Sequence, residues 1–512
     1  MHEYHLVEEY VSEKIHWADV TAADVDQTIP HRIATGITPS GPIHIGNMRE
    51  SLTGDLVFKA IRDRGLEAEL IYNADDFDPL RKVYPFLPDS YEQYIGMPLS
   101  DIPCPCGKHS SYAEHFLEPF LAALDELDIH PTVIRSSEMY RSGAFTEEIK
   151  TTLEHRDEVK EILERVSGRT LPDDWTPFYP ICKECGTISA ATFLDHDPET
   201  TTVHYRCPCG YEGYADYSKG EGKLVWRVDW PMRWKAQGIT VEPFGKDHAA
   251  AGGSYDTGKE IVENVFGGSA PFPVPYEWIS LKGKGAMASS TGVAITIVDM
   301  LEIVPPDVLR YLIVRARPEK AITFDPGMGL LTLIEEYTRV ADAKESRDYE
   351  LSQISEVATD IPFKHLVTVV QIAQSTDAIF EILTRSGYDV TNKDAVLRRT
   401  ERAKVWVEKY APDMVKFTVQ TKLPEDVTFT EEQQQGMAAL ADAFSTLEGW
   451  NAEDLHNAIY EVSNTTDIPG KKIFSGIYLA ILGKERGPRA GWFLEALGRE
   501  FVMARLMEAA AR

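Results

Sequence analysis

No window of the 512-residue chain approaches the ~20 consecutive apolar residues that a membrane-spanning helix needs. The first residues, Met1-His2-Glu3-Tyr4-His5, lack the basic and apolar stretches of a secretory signal. There is no internal repeat and no low-complexity segment. Together these absences predict a cytoplasmic globular protein. Positive charge is also scarce: Lys and Arg total 52 against 81 Asp and Glu, giving a formal net charge of −29. Such an excess favours solubility and repels phosphate backbones at long range. One stretch runs the other way. Residues 393–422 hold eight basic side chains and four acidic ones. Arg398, Arg399, Arg402 and Lys404 lie at its centre. It is either a seat for a phosphate backbone or a solvated helix face.

Cysteine is sparse, and none of the six stands alone. They come as Cys104 with Cys106, Cys182 with Cys185, and Cys207 with Cys209. A cytoplasmic protein does not use such pairs as disulfides, but close thiolates suit one metal ion. The second and third pairs lie ~20 residues apart, as in zinc ribbons. A glycine follows each of them, Gly186 and Gly210, and permits a tight knuckle. The first pair has His109 and His115 downstream. Two sulfurs and two imidazoles complete a tetrahedron, although His115 also fits as a core histidine on a helix starting near Tyr112. Both sets are closed, so the expected ions are structural zinc rather than a Lewis acid.

The densest local signal is Gly36-Ile37-Thr38-Pro39-Ser40-Gly41-Pro42-Ile43-His44-Ile45-Gly46-Asn47. An apolar run at 32–37 reads as a strand. Residues 48–64 read as a helix with Leu52, Leu56, Ala60 and Ile61 on one face. The turn between them delivers His44 to a helix start, where free N–H groups and the dipole suit a phosphate. A packed βα turn is the alternative. A second strand at 68–72 runs into Asn73-Ala74-Asp75-Asp76, and acidic residues there lie where open α/β sheets bind ligands.

Residues 84–220 interrupt this alternation as a metal-bearing insertion with a long amphipathic helix at about 145–167. The alternating pattern at 224–230 reads as a strand, with Trp226 and Trp230 on one face. A polar cluster ends at His248, and 276–281 reads as another strand. It runs into a second loop, Lys282-Gly283-Lys284-Gly285-Ala286-Met287-Ala288-Ser289-Ser290-Thr291-Gly292, of a kind that folds over a polyphosphate. Beyond about residue 338 only helix patterns recur.

Two phosphate-directed loops on a split α/β domain with a helical tail resemble the class I lysyl-tRNA synthetases of archaea and some bacteria. The resemblance rests on Thr35 to Gly41 with His44-Ile45-Gly46-Asn47, and on Asp75-Asp76-Phe77-Asp78-Pro79-Leu80-Arg81-Lys82. It rests equally on Trp226-Arg227-Val228-Asp229-Trp230-Pro231, on Glu242 to Gly253, and on Gly483-Lys484-Glu485-Arg486-Gly487-Pro488-Arg489. It implies an α/β, Rossmann-like catalytic domain split over 1–83 and 221–275, with the insertion at 84–220 carrying two zinc sites. A connecting segment at 276–345 would hold the second signature loop, and 346–512 would be an all-α anticodon-binding domain.

The implied reaction is ATP-dependent activation of L-lysine, then transfer to the 2′-hydroxyl of the terminal adenosine of tRNA(Lys), with Mg2+ accompanying ATP. Gly41, His44, Gly46, Asn47, Lys284, Met287, Ser289 and Ser290 would serve ATP. Gly36, Thr38, Trp230, His248 and Tyr276 would surround lysine. Asp75 and Asp76 are candidates for its ammonium groups, or else a helix cap and a salt bridge. Asn47 stands where the general class I signature has a second histidine. The second loop departs from the family pattern at Ala286, Ala288 and Thr291, which leaves Lys282 and Lys284 as its nearby cations. Two other readings fit less of the chain: an adenylate-forming enzyme without tRNA, and an inactive synthetase paralogue that binds tRNA.

Overall fold

In the computed structural model, residues 15–188, 191–283, 285–286, 295–354 and 360–512 are described. The chain forms two compact units. One comprises residues 1–300, 306–324 and 339–354, and the other 301–305, 325–338 and 355–512.

A five-stranded parallel sheet organises the first unit. Strand β1 (His31–Ile37) leads through the glycine- and proline-rich turn into helix α1 (Ile45–Asp63). Strand β2 (Ala68–Ala74) returns beside β1 in register, with Gly36 opposite Asn73. After helix α2 (Tyr112–Glu126) comes β3 (Thr132–Arg135), followed at once by the short helix α3 (Ser136–Arg141). Helix α4 (Trp226–Gln237) precedes β4 (Val241–Gly245), and β5 (Phe272–Tyr276) closes the sheet. The spatial order is β5-β4-β1-β2-β3, so the chain leaves β1 in opposite directions for β2 and β4. Open α/β sheets bind ligands at the carboxyl ends of strands beside such a reversal. Helix α1 covers the sheet because its Leu52, Leu56, Ala60 and Ile61 are fully buried, the face that the helical spacing predicts.

Three expectations change. The strand read at 224–230 is only Gly222–Leu224, and Trp226 begins a helix. Trp226, Trp230 and Trp234 recur every four residues, which is a helical period, and this outweighs the short apparent alternation. The single helix at 145–167 is two, Thr146–Glu154 and Arg156–Ser167. They part at His155, whose ring and backbone N–H both meet the Thr151 carbonyl. The strand read at 276–281 also divides. Tyr276 ends β5, whereas Ile279–Leu281 pairs with Ile322–Phe324 in a separate sheet. Between them the buried guanidinium of Arg49 gathers the carbonyls of Glu277, Pro318 and Lys320, which fixes the bend.

The insertion carries a three-stranded antiparallel ribbon, Thr192–Asp197, Thr202–Arg206 and Glu212–Asp216. The second unit's described elements are helices apart from connecting turns, and its apolar core includes Met437, Leu440, Phe444, Ile477 and Phe493. No helix among the described residues is long and apolar enough to cross a membrane.

Candidate active site and metal centres

The signature turn is held by side chains. His44 is the N-cap of α1, and its Nδ1 accepts the Gly46 N–H at 3.1 Å. The Asn47 side-chain oxygen accepts the His44 N–H in return at 3.3 Å, completing a capping box. The expectation of a bare helix start is therefore corrected. Besides Gly46, the N–H groups of Ile45, Asn47 and Met48 bond to carbonyls of Ile295 and His44. Burial pushes the His44 ring down to about 4, so it is neutral near pH 7. With Nδ1 accepting, the proton resides on Nε2. A neutral imidazole N–H, rather than a row of backbone amides, is what this turn offers an anion.

Residues just beyond the second loop meet the first turn. Ile45 N–H donates to Ile295 O and Ile297 N–H to Ile43 O, both at 3.3 Å, around a His44–Thr296 bridge. The signature turn thus lies against residues 295–297. Lys284, Met287, Ser289 and Ser290 themselves lie outside the described residues.

Near the carboxyl ends of β1, β4 and β5 polar and aromatic side chains gather into a cage. Gly36 must be glycine, because a Cβ there would sit 2.9 Å from Asn73 O. Its N–H donates to Glu50 Oε1 at 2.7 Å, and Tyr276 Oη donates to Glu50 Oε2 at 2.7 Å. Thr38 Oγ1 donates to Asp78 at 3.0 Å. Trp230 stacks on Trp226 with centroids 5.6 Å apart, and His248 lies 5.2 and 5.6 Å from the two indoles. Of the residues expected around lysine, Gly36 and Tyr276 share Glu50, while Trp230 and His248 form the aromatic side.

The sequence reading missed two carboxylates here. Glu50 keeps part of its surface open, yet desolvation pushes it up to about 8 despite its two hydrogen bonds. Glu242, buried on β4, accepts the indole N–H of Trp230 at 2.9 Å and that of Trp234. Desolvation raises it to about 7. Glu242 and Asp75 raise Glu50 further by like charge, and Asp75 does the same for Glu242. The only hint of Glu50 in the sequence is an acidic residue one helical turn beyond Gly46.

Asp75 and Asp76 have partners of their own. Asp75 pairs with buried Arg233 at 2.8 Å and accepts Ser136 Oγ at 3.1 Å. Asp76 caps α3 through the Ser137 N–H at 2.8 Å and its hydroxyl at 2.5 Å. Helix cap and salt bridge, the second reading of these residues, describe their contacts. A buried network continues from Arg233 to Asp229, and from Lys223 to Asp78 and Asp229.

Both metal sets converge. Around Cys104, Cys106, His109 Nδ1 and His115 Nδ1 the six ligand–ligand distances run from 3.2 to 3.6 Å. In the ribbon, Cys182 lies 3.7 Å from Cys209 and Cys185 3.7 Å from Cys207. Tetrahedral zinc, with bonds of about 2.0–2.3 Å, sets ligand separations of roughly 3.3–3.8 Å. Both donor sets fit. Gly107, Gly186 and Gly210 follow the pairs at positive φ, as the knuckles require.

In the second unit, Arg398, Arg399, Arg402 and Lys404 lie on the helix Lys393–Lys409. Arg398 and Lys404 are exposed. Arg402 donates to Leu301 O at 2.9 Å, and Lys404 lies 3.9 Å from Glu401.

Residues 15–361 match the family model described as tRNA synthetases class I (K), and residues 366–510 match an anticodon binding domain. Lysine–tRNA ligase 1 of Methanosarcina acetivorans is 48% identical over 525 residues, covering 97% of this chain and 98% of that one. The lysine–tRNA ligase of Archaeoglobus fulgidus is 48% identical over 503 residues, covering 97% and 100%. That of Methanocaldococcus jannaschii is 39% identical over 531 residues, covering 96% and 99%.

Proposed function

The chain belongs to the class I tRNA synthetases (K), and from that premise we propose how its residues carry out lysine–tRNA ligation. ATP enters with Mg2+ as its counter-ion. A lysine carboxylate oxygen attacks the α-phosphorus, the bond from that phosphorus to the bridging oxygen breaks, and pyrophosphate leaves. The 2′-hydroxyl of the terminal adenosine of tRNA(Lys) then attacks the lysyl carbonyl carbon, and AMP leaves.

The protein's share is position and charge. His44 Nε2–H donates to a non-bridging α-phosphate oxygen and, being neutral, keeps that geometry across the physiological pH range. Gly41 and Gly46 keep the turn small enough for the nucleotide to approach, and Asn47 locks the His44 cap. From the second loop, Lys284 answers the charge of the departing pyrophosphate, with Met287, Ser289 and Ser290 alongside.

Lysine lies across the carboxyl ends of β1 and β5. Its ε-ammonium docks on Glu50, which Tyr276 and Gly36 aim, and its stem lies against Trp230. Thr38 and His248 border the α-amino end. Glu242 and Asp75 add negative charge behind the cage without touching the substrate. The two cysteine-bearing sets would hold structural zinc, and the four donors of each would leave no position for a substrate. Arg398 and Lys404 face tRNA phosphates, supported by Arg399 and Arg402.

Glu50 carries this reading. It is a carboxyl group that accepts two hydrogen bonds, has no cation of its own among its described partners, and shares α1 with the neutral His44 that caps it. The test is lysine-dependent exchange of pyrophosphate into ATP, with and without a tRNA(Lys) transcript, together with lysylation of that transcript. Absence of both reactions would favour an inactive paralogue. Exchange without any lysylation would favour a tRNA-independent adenylate-forming enzyme.

A further inference from the structure

The first metal cluster and the signature turn meet at one side chain. Tyr112 opens α2, three residues before the ligand His115, and is fully buried. Its hydroxyl donates to the carbonyl of Ser40 at 2.8 Å, across 72 residues of sequence. Ser40 lies in the middle of the turn between Thr38 and His44, and its own N–H bonds back to Thr38 O at 2.8 Å.

The start of α2 has little freedom. Ser111 caps it by accepting the Glu114 N–H at 3.2 Å. Tyr112 N–H donates to Ile102 O at 2.8 Å, and Ala113 N–H to Leu99 O at 3.2 Å. On the knuckle side, Tyr91 donates to Pro103 O at 2.8 Å, one residue before Cys104, and its ring lies 6.1 Å from that of Tyr112. The His115 ring packs edge-on against Phe116, which in turn packs on Tyr112. A metal drawing Cys104, Cys106 and His109 onto His115 therefore fixes the same helical turn that presents the Tyr112 hydroxyl. The ribbon's four-cysteine set has no such hydrogen bond to the turn among the described contacts.

We propose that the Cys104–Cys106–His109–His115 cluster braces the nucleotide-binding turn, with Tyr112 as the positioning residue that transmits the brace to Ser40. This rests on the assignment of that turn to ATP. It gives the first metal a role in substrate affinity that the second lacks.

The full chain is titrated by calorimetry with Mg2+ and α,β-methylene-ATP, a non-reacting probe, and its metal content is measured by atomic emission. Tyr112→Phe removes one neutral hydrogen bond, and the Kd of the probe should rise roughly 3- to 10-fold. The lysine KM should stay within about twofold, since that bond lies outside the cage. His115→Ala should lose one metal equivalent and weaken the probe at least as much. His115→Cys, which still offers a zinc ligand, should recover both metal and probe affinity. Metal loss in His115→Ala with unchanged probe affinity would overturn the brace. So would a Tyr112→Phe protein whose lysine and ATP constants rise together as kcat falls. If the unsubstituted chain fails to bind the probe, the ATP assignment itself is overturned and the brace falls with it. Normal binding that ignores every substitution overturns the brace alone.

Discussion

Glu50 and Tyr276, 226 residues apart in sequence, share a 2.7 Å hydrogen bond at the end of the sheet, with the phenol as donor. Tyr276 aims the carboxylate and cannot neutralise it. A lysine ammonium can. Replacing Glu50 with Gln keeps the size and loses the charge. Truncating a buried charged contact typically costs 2–5 kcal/mol, so the lysine KM should rise by about 100-fold or more. The ATP KM should move little. Above about pH 8, where Glu50 is ionised without a cation, the free Gln variant should melt higher. Steady-state kinetics and a thermal melt check the two halves.

Lysine binding should depend on pH. Glu50, pushed up to about 8, is largely protonated in the free protein near neutrality, and Glu242, at about 7, is about half protonated. The groups facing Glu50 are the Gly36 N–H, Tyr276, Glu242 and Asp75. A bound ammonium favours the ionised form, so binding releases protons. Lysine affinity should therefore rise by up to roughly tenfold per pH unit between about 6 and 8, then level off. For stability the sign is opposite. A carboxyl whose folded value is raised stabilises the fold fully below its ordinary range near 4.5, and that contribution disappears as pH climbs through about 8. Calorimetry in two buffers of different ionisation enthalpy counts the protons, and Glu50→Gln should remove most of the release.

The cap that His44 makes and the donor role proposed for it can be separated by substitution. His44→Ala removes the cap, at about 1 kcal/mol of stability, and also the phosphate donor. Asn caps well but cannot present an outward imidazole N–H. His44→Asn should therefore restore the melting temperature while pyrophosphate exchange remains down by about 100-fold or more, the scale of one lost oxyanion donor. An active His44→Asn protein would refute the donor role.

Cys185→Ser should release one metal equivalent and lower the melting temperature. Cys182 and Cys207 belong to the same buried cluster as Phe178, Tyr205, Trp230 and Trp234, so the damage should spread beyond the knuckles. Limited proteolysis should cut first within 181–216, and metal analysis gives the stoichiometry.

What the sequence made legible was what chemistry spells locally. Cysteine and histidine spacing located both metal sets, and glycine with helical periodicity placed the first βα unit. The cage was harder to read. Glu50 acquires its meaning only when β1 and β5 bring Gly36 and Tyr276 to it, and pattern in one segment cannot show that. Trp226 and Trp230 were misplaced on a strand because seven residues of alternation looked extended, whereas the spacing to Trp234 was helical. For Asp75 and Asp76 the sequence left lysine contact, helix cap and salt bridge open, because Arg233 and Ser137, which engage them, lie far along the chain.

The pairing of His44 with Thr296 has a consequence for biosynthesis. A ribosome adding about 5–20 residues per second needs roughly 10–50 s between making these two segments. Throughout that interval the nascent chain already has β1, α1, β2 and the ligands of its first metal cluster, yet it lacks the segment that pairs with His44. On the proposed reading, competence to activate an amino acid arrives only when the segment at Thr296 emerges, so fragments ending before it should be inert toward ATP and lysine.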